Sequence, residues 1–404
     1  MSRHTRPSSE VPAARAAFVT LALTFLVVMT GVTLPTPMYG FYQDDLGFSL
    51  STVTVIYAVY AAGVLAALLL FGRWSDVLGR RPLLLAGLAA TIASDIAFLA
   101  AETTWMLMVA RVLSGLAAGV FVGTATAAVV EAAPPAWRDR APLVATAANI
   151  GGLGLGPFVA AVLVDALPWP THLTFVVHLA ISIVAVLAML RVPETAPREA
   201  GARPQLQRPA IPASVRSTFL GAAIAGFAGF AVSGLLTAVS PRFVVQSLDD
   251  PGHVVQVLVV TIFFAASVGG QIVLRRLPTD PAVDLGCALL TIGVLVLVWG
   301  LAAGSFALLI VSAVIAGVGQ GLSFSKGLAS ILSKVAPHER AGVSSAFFVV
   351  AYVAISVPVI GEGVAAQHWG VTDSSIAFSI GVAVLAALAL TTLVIDQRRH
   401  RPVG

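Results

Sequence analysis

The chain contains twelve apolar stretches separated by short polar loops, and this pattern limits its fold more than any other feature. An α-helix needs about 20 apolar residues to cross the hydrocarbon layer of a membrane. The composition agrees, because 58% of the residues are hydrophobic and 10% are charged, against about 25% charged in typical soluble domains. The stretches cover residues 16–35, 51–72, 82–100, 105–131, 142–164, 172–192, 217–240, 253–274, 282–302, 306–333, 342–366 and 374–395. The sequence therefore predicts an all-α polytopic membrane protein with twelve transmembrane helices.

The Lys and Arg residues lie almost entirely in alternate loops, which predicts the orientation of the chain. Loops that carry positive charge stay on the cytoplasmic side of a membrane. With the N-terminus inside, all but three of the 23 Lys and Arg residues fall in cytoplasmic segments, and the exceptions are Arg111, Arg242 and Lys326. We interpret the first stretch as an uncleaved helix, because it lacks a clear small-residue cleavage site. We expect a multi-pass protein of the cytoplasmic membrane with both termini in the cytoplasm.

Several classes of partner are not expected from this sequence. The formal net charge is +4, but the basic residues are scattered rather than gathered on one face, so no nucleic-acid partner is indicated. The seven histidines show no metal-ligand spacing, and no phosphate-binding loop that ends in Gly-Lys-Ser or Gly-Lys-Thr occurs. We therefore expect no metal, no cofactor and no enzymatic activity, and we expect a monomer in contact with lipid and a small-molecule substrate.

A polar stretch rich in Pro and Arg divides the twelve segments into six and six. It covers residues 193–216 and reads as a cytoplasmic linker between residues 1–192 and residues 217–404. The two halves share a pattern at a constant offset, because Gly115 and Gly119 of the fourth segment correspond to Gly317 and Gly321 of the tenth. The sequence thus predicts two related, pseudo-symmetric bundles of six helices.

A short loop between the second and third segments carries the strongest motif in the chain. Its distinctive residues are Gly72, Asp76, Gly79, Arg80 and Arg81. Glycines permit a tight turn and a close helix approach, and a carboxylate is favourable at the positive N-terminal end of a neighbouring helix. The loop resembles the signature of the major facilitator superfamily, which implies a secondary transporter built from two six-helix bundles.

The resemblance assigns roles to the residues of this loop as a cytoplasmic gate. It implies that Asp76 contacts the start of the eleventh segment, near Ala341, and closes the cytoplasmic side. It also implies that Arg80 or Arg81 pairs with Glu131, at the cytoplasmic end of the fourth segment. The alternative is that these basic residues only fix the topology of the loop.

The fourth segment contains Arg111, Gly115 and Gly119 at intervals of four residues, which places them near one helix face. The glycines allow close helix packing, and an arginine inside a membrane is a functional candidate because its burial is costly. The pattern resembles a second family motif, whose arginine is associated with proton coupling in antiporters. Asp95 lies at a similar depth, so we predict an ion pair between Asp95 and Arg111. A purely structural lock between the two helices is the alternative.

Glu362 is a second intramembrane acid, in the outer part of the eleventh segment. Members of the family that exchange protons often carry the titrating acid in the first helix, but the first segment here has none. Asp95 and Glu362 therefore become candidates for proton coupling together with Arg111, because a carboxylate in surroundings of low dielectric can exchange protons near neutral pH. A carboxylate that lies in water in an outer loop is the alternative for Glu362.

The resemblance places the substrate cavity between the two halves near the bilayer midplane, with the first, fourth, seventh and tenth segments around it. We predict that polar residues of these segments line it, namely Thr30, Thr124, Ser233, Thr237, Gln320 and Lys326. Lys326 has a second interpretation, in which its long side chain extends towards water at the membrane surface.

The fifth segment contains Gly152, Gly156 and Pro157, which resembles a motif of drug and metabolite exporters. A Gly-Pro pair also kinks membrane helices without any such role. Together with Arg111, this motif favours proton-coupled efflux of a small amphiphilic drug or metabolite by alternating access. A proton-coupled importer of the same fold is the first alternative. A non-transporting membrane receptor or assembly protein is the second.

Overall fold

The computed structural model describes residues 10–72, 74–195, 206–249, 251–336 and 339–400, and its description excludes the side chains of residues 10–13, 76 and 396–400. Within these ranges, every regular element is a helix. The α-helices are α1 (Glu10–Thr33), α2 (Tyr39–Leu46), α3 (Leu50–Phe71), α4 (Trp74–Leu78), α5 (Arg80–Leu99), α6 (Thr104–Ala132), α7 (Ala141–Ala166), α8 (Leu173–Met189), α9 (Arg216–Ala238), α10 (Ser240–Ser247), α11 (His253–Val273), α12 (Thr279–Ala302), α13 (Phe306–Ser333), α14 (Arg340–Ala354), α15 (Val357–Trp369) and α16 (Val371–His400).

Eleven helical segments in the described ranges are long and apolar enough to cross a membrane. The sixth position in chain order belongs to a shorter apolar helix, α8, which has 17 residues. At 1.5 Å per residue, α8 rises about 26 Å, which approaches the hydrocarbon thickness of about 30 Å. The predicted all-α polytopic membrane fold is therefore confirmed, and the predicted count of twelve membrane helices nearly matches.

Glycines on α6 allow it to cross α3 at very short range. A Cβ atom at Gly119 would lie 2.6 Å from the Cβ atom of Ala67, and a Cβ atom at Gly115 would collide with the carbonyl oxygen of Tyr60. Small residues serve this purpose in membranes, where close van der Waals packing replaces the hydrophobic effect between helices. The two glycines downstream of Arg111 therefore hold α6 against α3.

Glycines on α7 have the same effect on its contact with α1. A Cβ atom at Gly152 would lie 2.6 Å from the Cβ atom of Met29, and a Cβ atom at Gly156 would collide with the carbonyl oxygen of Thr30. Pro157 lies inside α7, and the helix continues beyond it. The Gly and Pro residues of the fifth segment thus set the distance between α7 and α1.

Two membrane segments are interrupted next to prolines. Helix α1 ends at Thr33, two residues before Pro35, whose missing N–H removes a bond to the carbonyl of Gly31. The predicted segment 342–366 is two helices rather than one, because α14 ends at Ala354 and α15 begins at Val357. Pro358 explains this break, since it has no N–H for the carbonyl four residues earlier.

The helix bundle has two ends, which we call the motif face and the opposite face. The motif face contains the loop around Gly79, residues 206–212 and the start of α14, and residues 206–212 contact both Gly72, which precedes the loop, and Gly342 of α14. The opposite face contains the turn between α1 and α3 and the loop that precedes α11, which also meet. The sequence predicts that the motif face is cytoplasmic.

Candidate functional site

A small chamber lies where α1, α3 and α7 meet α9, α11, α13 and α14. Its volume is about 30 Å³, far below the roughly 300–1,000 Å³ of small-molecule sites, so a ligand can enter only if the surrounding helices move apart. The described residues that line it are uncharged, and they are Val32, Thr33, Tyr57, Tyr60, Asn149, Ile150, Leu153, Phe230, Ser233, Phe264, Gln320, Phe324, Phe348, Tyr352 and Ile355. The chamber therefore offers rings, amides and hydroxyls to a ligand.

Aromatic residues are seven of the fifteen described residues that line the chamber, and they connect helices from both halves of the chain. The ring of Phe230 lies 4.8 Å from that of Phe324 and 6.2 Å from that of Tyr352. Tyr352 in turn meets Tyr60 edge to face at 6.1 Å. Such pairs are favourable because the positive edge of one ring faces the negative face of the next. The wall is thus a continuous aromatic surface from α3 to α13.

Two of the polar residues predicted for the cavity line this chamber. Gln320 accepts a hydrogen bond of 2.7 Å from the hydroxyl of Ser267, which orients its amide. Ser233 donates to the carbonyl of Phe230 at 2.8 Å. Asn149 of α7 also lies in the lining.

The three threonines predicted to line the cavity are absent from the chamber lining. Thr30 donates to the carbonyl of Leu26 at 2.8 Å, and Thr237 donates to that of Ser233 at 2.7 Å. Thr124 is buried in α6. A threonine hydroxyl in a helix is readily satisfied by the carbonyl one turn earlier, so a polar residue on a cavity helix need not face the cavity.

Lys326 was also predicted at the cavity, and the structure corrects this placement. Its ammonium group donates to the carbonyls of Arg275 at 3.1 Å and Leu277 at 2.9 Å. These carbonyls follow the C-terminus of α11, where a positive charge is favourable. The long side chain therefore extends towards the motif face, in agreement with its second interpretation.

Arg111 is buried beside the chamber, with 1% of its surface exposed. Its guanidinium donates to the carbonyls of Val32 in α1 and Tyr57 in α3. It also lies 4.8 Å from the ring centroid of Tyr60 and 5.5 Å from that of Tyr57, within range for a cation–π interaction. Arg111 thus ties α6 to α1 and α3 directly behind two tyrosines of the chamber wall.

The predicted ion pair between Asp95 and Arg111 is wrong. Asp95 instead contacts His178 of α8, whose Nδ1 atom lies 2.9 Å from both carboxylate oxygens. The Nε2 atom of His178 lies 3.0 Å from the carbonyl oxygen of Val27 in α1. The sequence predicts a similar depth for Asp95 and Arg111, but Asp95 lies on the face of α5 that contacts α8. Sequence reasoning missed His178, although an ionisable residue in an apolar segment is itself a signal.

Glu362 is buried between α15 and the first turn of α16. Its Oε1 atom accepts hydrogen bonds of 3.0 Å from the hydroxyls of Ser374 and Ser375. Its Oε2 atom is buried and has no hydrogen-bond partner. The carboxyl group is therefore enclosed by protein, which is contrary to the alternative of a carboxylate in water. Its role in proton coupling stays a prediction.

On the motif face, Arg80 and not Arg81 pairs with Glu131. The Nη2 atom of Arg80 lies 3.1 Å from Oε1 of Glu131, and another of its amino groups donates to the hydroxyl of Ser75. Glu194 accepts hydrogen bonds from the backbone N–H groups of Arg80 at 2.8 Å and Arg81 at 3.2 Å. A carboxylate at this position stabilises the N-terminus of α5. Glu194 is a member of this cluster that the motif did not indicate.

Different structural constraints favour glycine at the two glycine positions of the predicted gate, Gly72 and Gly79. Gly79 has a φ of +101° immediately before α5, a conformation that disfavours side chains. Gly72 lies against Gln207, because a Cβ atom at Gly72 would be 3.1 Å from the Cβ atom of Gln207. The side chain of Asp76 lies outside the described part of the chain, so its predicted contact with the start of α14 stays a prediction.

Residues 206–212 lie on the motif face and contact one helix from each half of the chain, α3 and α14. The backbone N–H of Gln207 donates to the carbonyl of Leu69 in α3 at 2.8 Å, and that of Ala210 donates to the carbonyl of Gly342 in α14 at 3.2 Å. We call this segment the strap. It adds a backbone connection between α3 and α14 that the sequence, which predicts only a polar linker, does not show.

A vestibule of about 410 Å³ lies at the opposite face, beside Thr36 and Pro37, which follow the C-terminus of α1. Its lining includes Arg242, which donates to the side-chain oxygen of Gln43 at 3.1 Å. Nearby, the carboxylate of Asp165 in α7 accepts from the backbone N–H groups of His253 and Val254, each at 3.1 Å. These contacts connect the two halves around the vestibule.

The described structure is a polytopic helical membrane fold with a small chamber between helices of the two halves of the chain. A family model, described as Major Facilitator Superfamily, matches residues 21–359. The chain belongs to this superfamily, as the signature loop predicts. The chain is therefore a member of a family of membrane transporters.

Similar proteins support the family at low identity. A segment of 126 residues, 30% of this chain, is 36% identical to the class D tetracycline resistance protein of Salmonella ordonez and covers 30% of that protein. A segment of 178 residues, 43% of this chain, is 25% identical to multidrug resistance protein 3 of Bacillus subtilis and covers 34% of it. The chain thus aligns with less than half the length of these curated relatives.

The fold is also similar to that of solved transporters. The crystal structure of a bacterial homolog to the human lysosomal transporter Spinster, inward-facing and unoccupied, gives a TM-score of 0.77 at 14% sequence identity. The similarity covers 97% of this chain and 99% of that chain. At this identity the likeness shows the fold alone.

Proposed function

We propose that this transporter exports a small amphiphilic compound with an aromatic ring in exchange for protons. The observation that carries the proposal is the chamber, whose wall combines aromatic rings with the amides of Asn149 and Gln320. Rings bind flat apolar surfaces, and a few placed polar groups fix orientation. The names of the relatives, which concern multidrug and tetracycline resistance, support export of such a compound.

The charges around the chamber limit the net charge that a substrate can carry. No described lining residue carries a charge, and the guanidinium of Arg111 lies behind the rings of Tyr57 and Tyr60. A permanent cation in the chamber would be repelled by Arg111 across a medium of low dielectric, where charges interact strongly. A permanent cation is therefore not expected as a substrate, whereas a neutral, zwitterionic or anionic compound is compatible with the chamber.

The proposed orientation follows the positive-inside rule, with the motif face and both termini in the cytoplasm. The vestibule of about 410 Å³ then opens towards the outside, and the strap closes the cytoplasmic side. Alternating access requires the reverse arrangement as well, in which the two predicted six-helix halves, residues 1–192 and 217–404, separate at the motif face.

Transport into everted membrane vesicles tests this function. With an imposed proton gradient, acid inside, vesicles that contain the protein should accumulate tetracycline and should not accumulate ethidium, a permanent cation. A protonophore should abolish the accumulation. Gln320→Ala should raise the KM for tetracycline, whereas Gln271→Ala, a buried glutamine of α11 that bonds to the Ser267 carbonyl, is the matched control. Equal accumulation with and without a gradient would contradict proton-coupled export.

Import in the same fold is the second candidate, and it is favoured by one observation. The first membrane segment contains no acidic residue between positions 16 and 35, where the family resemblance leads us to expect the titrating acid of an antiporter. An importer would accumulate solute in right-side-out vesicles that are acid outside, and would not accumulate it in everted vesicles that are acid inside. The same pair of preparations therefore separates the two directions.

A further inference from the structure

A buried histidine and aspartate form a pair behind α1 that the chamber does not include. Asp95 of α5 and His178 of α8 are 3% and 4% exposed. Nδ1 of His178 is 2.9 Å from the Asp95 carboxylate, and Nε2 is 3.0 Å from the carbonyl oxygen of Val27. Each nitrogen of the imidazole thus faces an oxygen from a different helix, and the ring connects α5, α8 and α1.

The number of protons on this pair follows from its contacts. The Val27 carbonyl can only accept a hydrogen bond, and so can an ionised carboxylate. Both contacts are satisfied when the pair holds two protons, either as an imidazolium with a carboxylate or as a neutral imidazole with a protonated Asp95. When one proton leaves, a single N–H must serve two acceptors, and one contact is lost.

The contact that is lost is the one to α1. After deprotonation the pair carries one negative charge, and a hydrogen bond to a carboxylate is about twice as strong as one to a neutral carbonyl. The remaining proton therefore stays on Nδ1, facing Asp95. The lone pair of Nε2 then faces the oxygen of Val27, and this contact becomes repulsive.

The ring is fitted closely to α1, which makes the helix sensitive to this change. A Cβ atom at Gly31 would collide with the imidazole, so the ring lies directly on the helix backbone. Val32 and Thr33, one and two residues further along α1, line the chamber. A change in the contact at Val27 thus acts on the helix that carries the chamber wall.

Other charged and titratable groups around the pair are few in the described structure. The small space beside the pair is lined by residues of α1, α5, α6 and α8, and besides Asp95 and His178 these are the uncharged Val28, Gly31, Val32, Thr91, Ser94, Ser114 and Ala117. The nearest charged side chain on α6 is Arg111, one turn from Ser114, and it is directed to the carbonyls of Val32 and Tyr57. No second carboxylate lies among these residues to take the proton.

We propose that the Asp95–His178 pair is the proton-binding site of this transporter and that its protonation fastens α1. This inference rests on the proposed proton exchange and deepens it. In the loaded state, His178 holds α1 through Val27 while Arg111 holds it through Val32. Loss of the proton releases the first of these contacts, and α1 can then move relative to α5 and α8. Low pH favours the fastened state, and high pH favours the released state.

Asp95→Asn tests the proposal because it imitates the loaded pair. The amide that this substitution introduces can donate to Nδ1 while Nε2–H donates to Val27, so both contacts persist without a removable proton. In proteoliposomes, this variant should retain tetracycline counterflow, which needs no net proton movement, and should lose proton-driven tetracycline accumulation. Ser182→Ala, at a buried position one turn along α8, should retain both activities.

A measurement without solute separates this proposal from the proposed function. Nuclear magnetic resonance of protein labelled with ¹⁵N in histidine reports the protonation of each ring nitrogen, and His178→Gln assigns the signal. In the wild type, the Nε2 proton of His178 should be lost as the pH rises, and in Asp95→Asn it should persist. If the wild type fails to transport while this titration is observed, the proposed function fails and the proton site stands. The site is overturned if Nε2 keeps its proton at every pH, or if Asp95→Asn retains proton-driven accumulation.

Discussion

Replacement of Arg111 by lysine should loosen α1 although it conserves the positive charge. The guanidinium donates to two carbonyls on different helices and lies over two tyrosine rings. An ammonium group on a flexible stem cannot reproduce that planar, branched geometry. We expect the lysine to keep the contact to Val32 and to lose the one to Tyr57, which is the longer of the two, at 3.4 Å.

The expected loss can be estimated from these contacts. A hydrogen bond to a charged group contributes about 1.5–3 kcal/mol, and the weaker stacking of an ammonium on the rings costs up to about 1 kcal/mol. Because the lost bond is long, we expect about 2 kcal/mol in total, or about a 30-fold shift in the population that holds α1 in place. Thermal unfolding of the purified variant in detergent, together with tetracycline counterflow, measures this loss.

Arg242→Lys is the matched control for this substitution. Arg242 is exposed and bonds to the neutral side chain of Gln43, so the same exchange should change stability by less than about 0.5 kcal/mol. The reasoning is refuted if Arg111→Lys unfolds at the wild-type temperature and transports normally, or if both substitutions lower the midpoint equally.

Three further predictions concern packing and charge. Gly152→Leu should separate α7 from α1 and destabilise the protein by about 1–3 kcal/mol through overpacking, whereas Gly151→Leu, where a Cβ atom meets nothing within 4 Å, should be tolerated in the same thermal assay. Glu362→Ala should lower the thermal midpoint, because the Ser375 hydroxyl loses its acceptor at a cost of about 1 kcal/mol, while Glu362→Gln retains that acceptor and should unfold near the wild-type temperature. Glu131→Gln should cost less than about 1 kcal/mol, because the carboxylate is 31% exposed and solvent screens its pair with Arg80; a larger loss would show that this pair contributes more than a surface ion pair.

The fold was predictable because its strongest determinants are local in sequence. Each apolar segment is long enough to specify a helix by itself, and the close packing at Gly115 and Gly119 follows from residue size at helical spacing. The break before Val357 was missed, because the apolar pattern continues through it. The proline one residue further on is the local signal that reveals it.

The site was predictable only in part, because it depends on the rotation of each helix about its own axis. Position along each helix predicts the same depth for Asp95 and Arg111. The two side chains leave their helices in different directions, however, and Asp95 contacts His178, which lies 83 residues away. The same limit applies to Lys326, whose depth fits the cavity and whose side chain instead meets the loop after α11. Ser233 and Gln320 line the chamber because their helix faces point inward, and their contact with a substrate stays a prediction.

Cleavage of the strap by a protease should depend on the conformation of the motif face. In the described arrangement its backbone is held by hydrogen bonds at Gln207 and Ala210, and a segment fixed against α3 and α14 cannot be drawn into the active site of a protease. Separation of α3 from α14 must break at least one of these bonds and expose the peptide. If the protein works by the proposed alternating access, limited proteolysis after Arg208 should report how often the motif face opens, and a substrate that shifts the equilibrium should change the cleavage rate without any label on the protein.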